Sequence, residues 1–159
     1  MRVGWSIDVH RRGGPGPTLL AGVVVDSERG VVGTSDADVL AHAVADAVLG
    51  AAALGDLGDH FPSGDPAWEG ADSMDLLRRV VTMASAAGYR VASVDATVVA
   101  ERVRVAPHRD AVRGALAAVL GVGPAAVSVK ATTTDGLGFL GSDDGIAALA
   151  AVVLEAAAR

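Results

Sequence analysis

A chain of 159 residues, 51% apolar and with a net charge of −6, suits a single domain over residues 1–159 that is large enough to bury a core. The acidic balance, with no basic cluster, argues against nucleic acid as a partner, and no apolar run is long enough to span a membrane. There is no cysteine, which excludes disulfides and thiolate metal ligands, and the opening Met-Arg-Val-Gly-Trp carries no secretory pattern, so the expected location is cytoplasmic.

Arg2–His10 reads as a strand, stopped by Gly13-Gly14-Pro15-Gly16-Pro17. Asp8 and His10 lie two apart at its end, so their side chains share one face. Such a pair can grip one ion, although the same pattern is more often a strand end with a satisfied histidine. Leu19–Val25 is a second strand and Glu28-Arg29-Gly30 a turn. Ser35 reads as a helix N-cap, with Asp38 as the acidic end of a capping box. The helix runs through Val39, Ala43 and Ala47 towards Leu54 and ends near Gly55. Asp38, His42 and Asp46 recur at a spacing of four and share a face. His42 thus offers a third ligand, and three N/O ligands leave one tetrahedral position open, the catalytic arrangement for zinc.

Gly55–Ala71, rich in glycine, proline and aspartate, reads as one long loop of the functional or mobile kind. Asp72–Ala87 is an amphipathic helix stopped by Gly88, Val91–Ala100 a strand, and Pro107–Leu120 a helix closed by Gly121. Val127–Ala131 is a short strand leading into Thr132-Thr133-Thr134-Asp135-Gly136. Ile146–Ala158 is alanine-rich like a helix, while its Val-Val-Leu core suits a strand equally. The alternation of strands and helices predicts an α/β two-layer sandwich of a mixed β-sheet and helices. His60 and His108 lack ligand spacing to Asp8 and read as structural.

Several segments stand in a telling order and spacing. They are Asp8-Val9-His10, Ser35-Asp36-Ala37-Asp38-Val39-Leu40-Ala41-His42-Ala43, the run from Asp46 to Gly58, His60-Phe61-Pro62 and Asp65-Pro66. They continue with Gly70-Ala71-Asp72-Ser73, Val129-Lys130-Ala131-Thr132-Thr133-Thr134, Leu137-Gly138-Phe139 and Gly145-Ile146-Ala147-Ala148. Together they resemble the 2-C-methyl-D-erythritol 2,4-cyclodiphosphate synthases, the cyclases of the non-mevalonate isoprenoid pathway, over the whole chain. The resemblance implies a homotrimer with active sites between subunits, and a strand for the C-terminal segment. In that family the 2-phosphate of a CDP-linked methylerythritol attacks the β-phosphorus and CMP leaves, so catalysis is mainly positioning and charge neutralisation.

The resemblance further implies Zn²⁺ on Asp8, His10 and His42, and Mg²⁺ or Mn²⁺ on the diphosphate with Asp135 where the family has a glutamate. Thr133 and Thr34 stand at positions that stabilise the transition state. Asp56, Leu57, Gly58 and the stretch from Phe61 to Asp65 match the segment that holds the methylerythritol end. Ala100, Arg104, Val105 and Ala106 match the cytidine pocket, and Val9, Ser35, Ala131, Thr132, Thr134 and Phe139 complete the implied substrate contacts.

Departures from the family pattern cluster around the phosphates and spare the zinc ligands. Thr34 stands for a histidine, Asp135 for a glutamate, Val103-Arg104 for Pro-Lys, and Ser6 for a glycine. Gly141-Ser142-Asp143-Asp144 stands for Gly-Arg-x-Glu. Three readings follow: an ordinary synthase with a tolerant site, a divergent paralogue acting on a different CDP-linked polyol, and a catalytically silent trimer that binds nucleotide or isoprenoid diphosphate.

Overall fold

Residues 1–157 are described by a computed structural model. The described strands are β1 (Arg2–Gly14), β2 (Thr18–Leu20), β3 (Val23–Asp26), β4 (Gly30–Val32), β5 (Tyr89–Val99), β6 (Val127–Thr132) and β7 (Gly145–Ala156). The described α-helices are α1 (Val39–Ala52), α2 (Leu57–His60), α3 (Ser73–Ala86), α4 (Arg109–Leu120) and α5 (Gly138–Gly141). A mixed sheet runs in the order β4-β1-β7-β5-β6, and β2 and β3 form a separate hairpin. Only β5 and β6 pair in parallel, and the crossover through α4 supplies the long connection such a pair needs. No described helix is long and apolar enough to cross a membrane.

The sheet carries its helices on one face. Along β1, Gly4, Ser6, Asp8 and His10 turn towards α1, and the alternate residues turn away. Those alternates, Val3, Trp5, Ile7 and Val9, are 69%, 65%, 51% and 44% exposed, an apolar row on an otherwise uncovered face. Helix α1 is buried almost all round, from Val39 and Leu40 to Ala51 and Ala52, because the sheet covers one side of it and α3 another. At Gly4 the helix backbone presses onto the strand: an added Cβ would lie 1.8 Å from the Ala47 carbonyl oxygen and 2.7 Å from the Ala51 nitrogen. Gly4→Ala is therefore expected to cost about 3 kcal/mol, the upper end of ordinary overpacking. A urea midpoint lowered with the slope unchanged would show it, and an unshifted midpoint would contradict the contact.

The C-terminal segment is a strand. β7 pairs with β1 on one side and β5 on the other, which makes it central. Buried Ile146, Ala148, Ala150, Val152 and Leu154 fall at period two, with Gly145 and Ala147 buried beside them at its start, and the central position overrides the helical leaning of its alanines. Ala158, the last residue of that expectation, lies outside the described residues.

Local readings need correction at several places, β1 among them, which runs on through Gly13 to Gly14 instead of stopping before them. Leu19–Val25 is two strands folded back through Ala21 and Gly22, both with positive φ, the backbone of a two-residue hairpin turn. Asp38, and not Ser35, caps α1: its buried carboxylate accepts N–H groups from Ala41 at 3.0 Å and from Gly22 at 2.7 Å, tying the hairpin to the helix. Helix α1 stops at Ala52, two residues early, because Ala53 takes the left-handed cap and donates its N–H to the Gly50 carbonyl. The three-residue β4 and the four-residue α2 and α5 are too short to leave a periodic signal.

A buried charge cluster fastens the end of β1. The Arg12 guanidinium donates to Asp26 at 2.6 Å and to Thr18 at 3.0 Å, and its Nε lies 3.2 Å from Asp143 Oδ1 as an ion contact without hydrogen-bond geometry. Arg29 donates to the other Asp143 oxygen at 2.5 Å. Asp143 itself is buried with a φ of +63°.

Candidate active site

The end of β1 and the second turn of α1 bring three donors together on the helix side of the sheet. His10 Nε2 lies 3.0 Å from Asp8 Oδ2, His42 Nδ1 lies 3.2 Å from the same oxygen, and the two ring nitrogens are 3.1 Å apart. Bonds of about 2.0–2.1 Å to a tetrahedral ion require ligand atoms about 3.3 Å apart, so this triangle is close to zinc geometry as it stands. Among the described residues it is the one group of three or more His, Asp or Glu side chains so assembled.

Burial alone would push the Asp8 carboxyl up, but hydrogen bonds and charge from His10 and His42 outweigh it and hold Asp8 far below the usual carboxylate range. Burial would lower His10, and Asp8 more than reverses that, so the imidazole is raised. In the metal-free protein, the His10 contribution to stability is complete below the ordinary imidazole range and fades as pH rises through the raised value. The Asp8 contribution is present above the ordinary carboxylate range and is lost progressively as pH falls from there through the depressed value. Because a proton on His10 competes with an ion, zinc affinity should rise as pH increases through the raised His10 range and then level off. Chelator competition across roughly pH 5 to 8 measures this, and a flat profile would contradict ligation by His10.

The three donors sit in a cleft of about 250 Å³ that Thr34, Ser35, Leu57, Gly58 and Phe61 also line. The stretch 55–71 is more ordered than a loop. Asp56 caps α2 in a reciprocal box with Asp59, and Asp65 caps a short 3₁₀ turn over Pro66–Trp68. Phe61 meets Trp68 edge-on at 5.0 Å, and the Arg79 guanidinium lies 5.6 Å from the Trp68 ring centre. Asp65 borders a polar recess next to the cleft, again with Thr34. The Asp56 carboxylate is occupied as a cap and does not line the cleft.

Several cleft residues escaped the sequence reading as site residues. Asp46 lines the cleft one turn after His42 and accepts the Leu57 N–H at 2.7 Å, joining the metal helix to α2. Burial pushes its carboxyl up, against that bond. The shared helix face was the available signal. Ser63 falls within the Phe61–Asp65 stretch that the resemblance implied, whereas Trp68 and Leu76 left no signal, since their approach depends on how the 55–71 stretch folds back.

The remaining implied residues collect elsewhere in the chain. Ala100, Arg104, Val105 and Ala106 follow β5, and Ala131, Thr132, Thr133 and Thr134 close β6. Through Ala147, opposite both Val9 and Val99, and through the pairing of Val99 with Thr132, they stand at the same end of the sheet as His10. Three strand spacings separate β1 from β6, about 14 Å, and none of these residues lines the cleft of its own chain. Arg104 is exposed, whereas Ala100 and Val105 are buried. The Thr133 hydroxyl donates to the Asp135 carboxylate at 3.2 Å and accepts the Asp135 N–H at 3.1 Å, so Asp135 belongs with Thr133 and not with the Asp8 group. Val9 points to the open sheet face, opposite to Asp8 and His10. Phe139 flanks the same face, its ring packed so close to Gly145 that a Cβ there would lie 2.7 Å away.

The positions that depart from the family pattern are also resolved. The Thr34 carbonyl accepts the Gly70 N–H at 2.8 Å, pinning the mouth of the cleft. Ser6 hydrogen-bonds the Ala43 carbonyl on α1. Ser142 donates to Asp144 at 2.6 Å, so that segment closes on itself. Val103 is buried.

The model of the YgbB family matches residues 1–155. A 2-C-methyl-D-erythritol 2,4-cyclodiphosphate synthase of Salinibacter ruber is 55% identical over 99% of this chain and 100% of its own. That of Symbiobacterium thermophilum is 53% identical over 97% and 98%. Among solved structures, the bifunctional IspDF of Campylobacter jejuni superposes with a TM-score of 0.95 at 37% identity, covering 98% of this chain but 42% of that longer one. A CDP-bound 2C-methyl-D-erythritol-2,4-cyclodiphosphate synthase superposes with a TM-score of 0.88 at 30% identity, over 97% of this chain and all of the other.

Proposed function

The chain belongs to the YgbB family, and from that premise we infer that it converts 4-CDP-2-C-methyl-D-erythritol 2-phosphate to 2-C-methyl-D-erythritol 2,4-cyclodiphosphate with release of CMP. It is a phosphorus–oxygen lyase: an oxygen of the 2-phosphate forms a bond to the β-phosphorus, and the bond from that phosphorus to CMP breaks. The observation that carries the reading is the Asp8–His10–His42 triangle opening into the cleft beside Leu57, Gly58 and Phe61.

A Zn²⁺ ion held by these three residues would supply Lewis acidity towards the diphosphate. The chain's own residues do the rest. Phe61, Trp68 and Leu76 form an apolar wall that receives the branched methyl end and excludes water, while Gly58 leaves backbone room for the polyol. Asp56 and Asp65 order that segment, and Ser35 stands between it and His42. The Thr133 hydroxyl, which in the free chain donates to Asp135, would turn its proton to the oxygens that gain charge, and Asp135 beside it would hold a Mg²⁺ or Mn²⁺ ion. Ala100, Arg104, Val105 and Ala106, with Ala131, Thr132 and Thr134, form the nucleotide side, and Phe139 and Val9 flank it.

The two halves lie too far apart in one chain to act on one diphosphate, which supports a homotrimer in which one subunit's cleft faces the neighbour's β5 and β6 ends. The apolar row Val3, Trp5, Ile7 and Val9 supports burial of the open sheet face in that assembly. The same reading takes residues 1–159 as one domain and places the enzyme in the cytoplasm, where a cysteine-free fold draws nothing from an oxidising compartment.

Incubation with the CDP-linked substrate, Zn²⁺ and Mg²⁺ should yield CMP and cyclic diphosphate in equal amounts, read by chromatography and phosphorus NMR. CMP without cyclic product would mean that water and not the 2-phosphate attacks the β-phosphorus; neither product would leave a different CDP-linked polyol or a silent trimer. Thr34 carries a neutral hydroxyl where a cationic or N–H donor is usual, and one preorganised donor contributes roughly 100-fold or more. Thr34→His is thus expected to raise kcat by up to roughly that factor. An unchanged kcat would mean that the hydroxyl suffices.

A further inference from the structure

We propose that Ser73 and Asp36 are positioning residues for the metal site, a relay that fixes His42 in the tautomer whose Nδ1 lone pair faces Asp8 and His10. This rests on the metal reading of those three donors. Ser73 begins α3, far from His42 in sequence, yet its Oγ lies 2.9 Å from His42 Nε2. On its other side the same Oγ meets Asp36 Oδ1, and the Ser73 N–H donates to Asp36 Oδ2 at 3.2 Å.

The direction of the relay follows from counting protons. An ionised carboxylate only accepts, so the single Ser73 hydroxyl proton goes to Asp36. The Ser73 oxygen can then only accept from His42, which places the neutral ring's proton on Nε2, against the pull of Asp8 Oδ2 3.2 Å from Nδ1, and leaves Nδ1 free to ligate. Ser73 is 1% exposed, so bulk water cannot stand in for it. Ser35 Oγ, 3.2 Å from the same Nε2, accepts the Ala37 N–H and can send its own proton to Ser73 Oγ 3.3 Å away, so it is compatible with the arrangement without setting its direction.

The relay also joins the cleft cover to His42. The Asp36 N–H donates to Ala71 at 3.0 Å and the Gly70 N–H to Thr34 at 2.8 Å, stitching residues 34–36 to the end of the 55–71 stretch just before Ser73. The chain that leaves the cleft wall thereby places the hydroxyl that orients a ligand.

Zinc affinity by chelator competition, and the His42 tautomer by ¹⁵N NMR of the metal-free protein at alkaline pH, test this on the full chain. Ser73→Ala should weaken zinc binding roughly 10- to 100-fold with its circular dichroism retained, and Ser73→Thr, which keeps the hydroxyl, should restore most of it. Asp36→Asn can donate to Ser73, which reverses the relay, so it should populate the Nδ1–H tautomer that wild type lacks. Equal zinc affinity in wild type and Ser73→Ala, or an Nδ1–H ring in wild type, would overturn the relay while leaving the metal site intact. A wild-type protein that takes up no zinc would instead sink the metal reading, and the NMR result alone then decides whether the relay orients the ring.

Discussion

His42→Ala should leave the protein folded, nearly free of zinc and all but inactive. The two remaining ligands, Asp8 and His10, both come from one strand and hold an ion from one side only. The substitution itself suits the helix: alanine has the highest helix propensity, and His42 lines the cleft and not the core. Stability should therefore change little while metal is lost. An ion that neutralises charge on a diphosphate supplies several kcal/mol, and about 4 kcal/mol corresponds to a roughly 1000-fold fall in kcat/KM. Elemental analysis of chelator-free preparations and CMP release give the two readouts. Equal zinc in wild type and variant would show that the ion sits elsewhere.

Trp5→Glu separates assembly from the metal site. Trp5 is 65% exposed in the single chain, at the middle of the apolar row on the uncovered sheet face. A carboxylate there costs the isolated subunit little, as exposed substitutions generally stay within about 0.5 kcal/mol. Buried three times over in a trimer, it costs several kcal/mol per charge unless it is paired. Light scattering should give three chain masses for wild type and one for the variant at micromolar concentration. The variant should keep its zinc, since Asp8, His10 and His42 lie on the other face, yet lose more than about 99% of turnover because Thr133 no longer meets the cleft. A wild type that scatters as a monomer would remove both the assembly and the shared site.

How legible the molecule was depended on the range of the interactions. β1 and the body of α1 could be read because alternation and helical spacing are local, and Asp8, His10 and His42 followed from them. β7 could not be settled locally: its strand identity comes from neighbours on both sides, and the family resemblance pointed to it where composition did not. Ser35 and Asp38 are both good caps, and the choice fell to Asp38 through Gly22, sixteen residues away in sequence. The split of the implied site into two halves came from strand order, to which no single segment is sensitive. Ser73 lay in plain view as a helix start, but its contact with His42 is a tertiary fact.

The Arg12–Asp143 cluster has a consequence for how this chain can change over generations. Each partner is nearly water-free, so losing one alone strands a buried charge, a step worth about 3–5 kcal/mol in comparable pairs and a large share of a small domain's reserve. Asp26 and Arg29 soften that step without removing it. Exchanging the whole set for apolar residues of similar volume, by contrast, is close to neutral. Two tolerable states are thus separated by intermediates that selection removes. A lineage that has acquired the pair is held to it, and sequences on either side of that divide should carry both charges or neither.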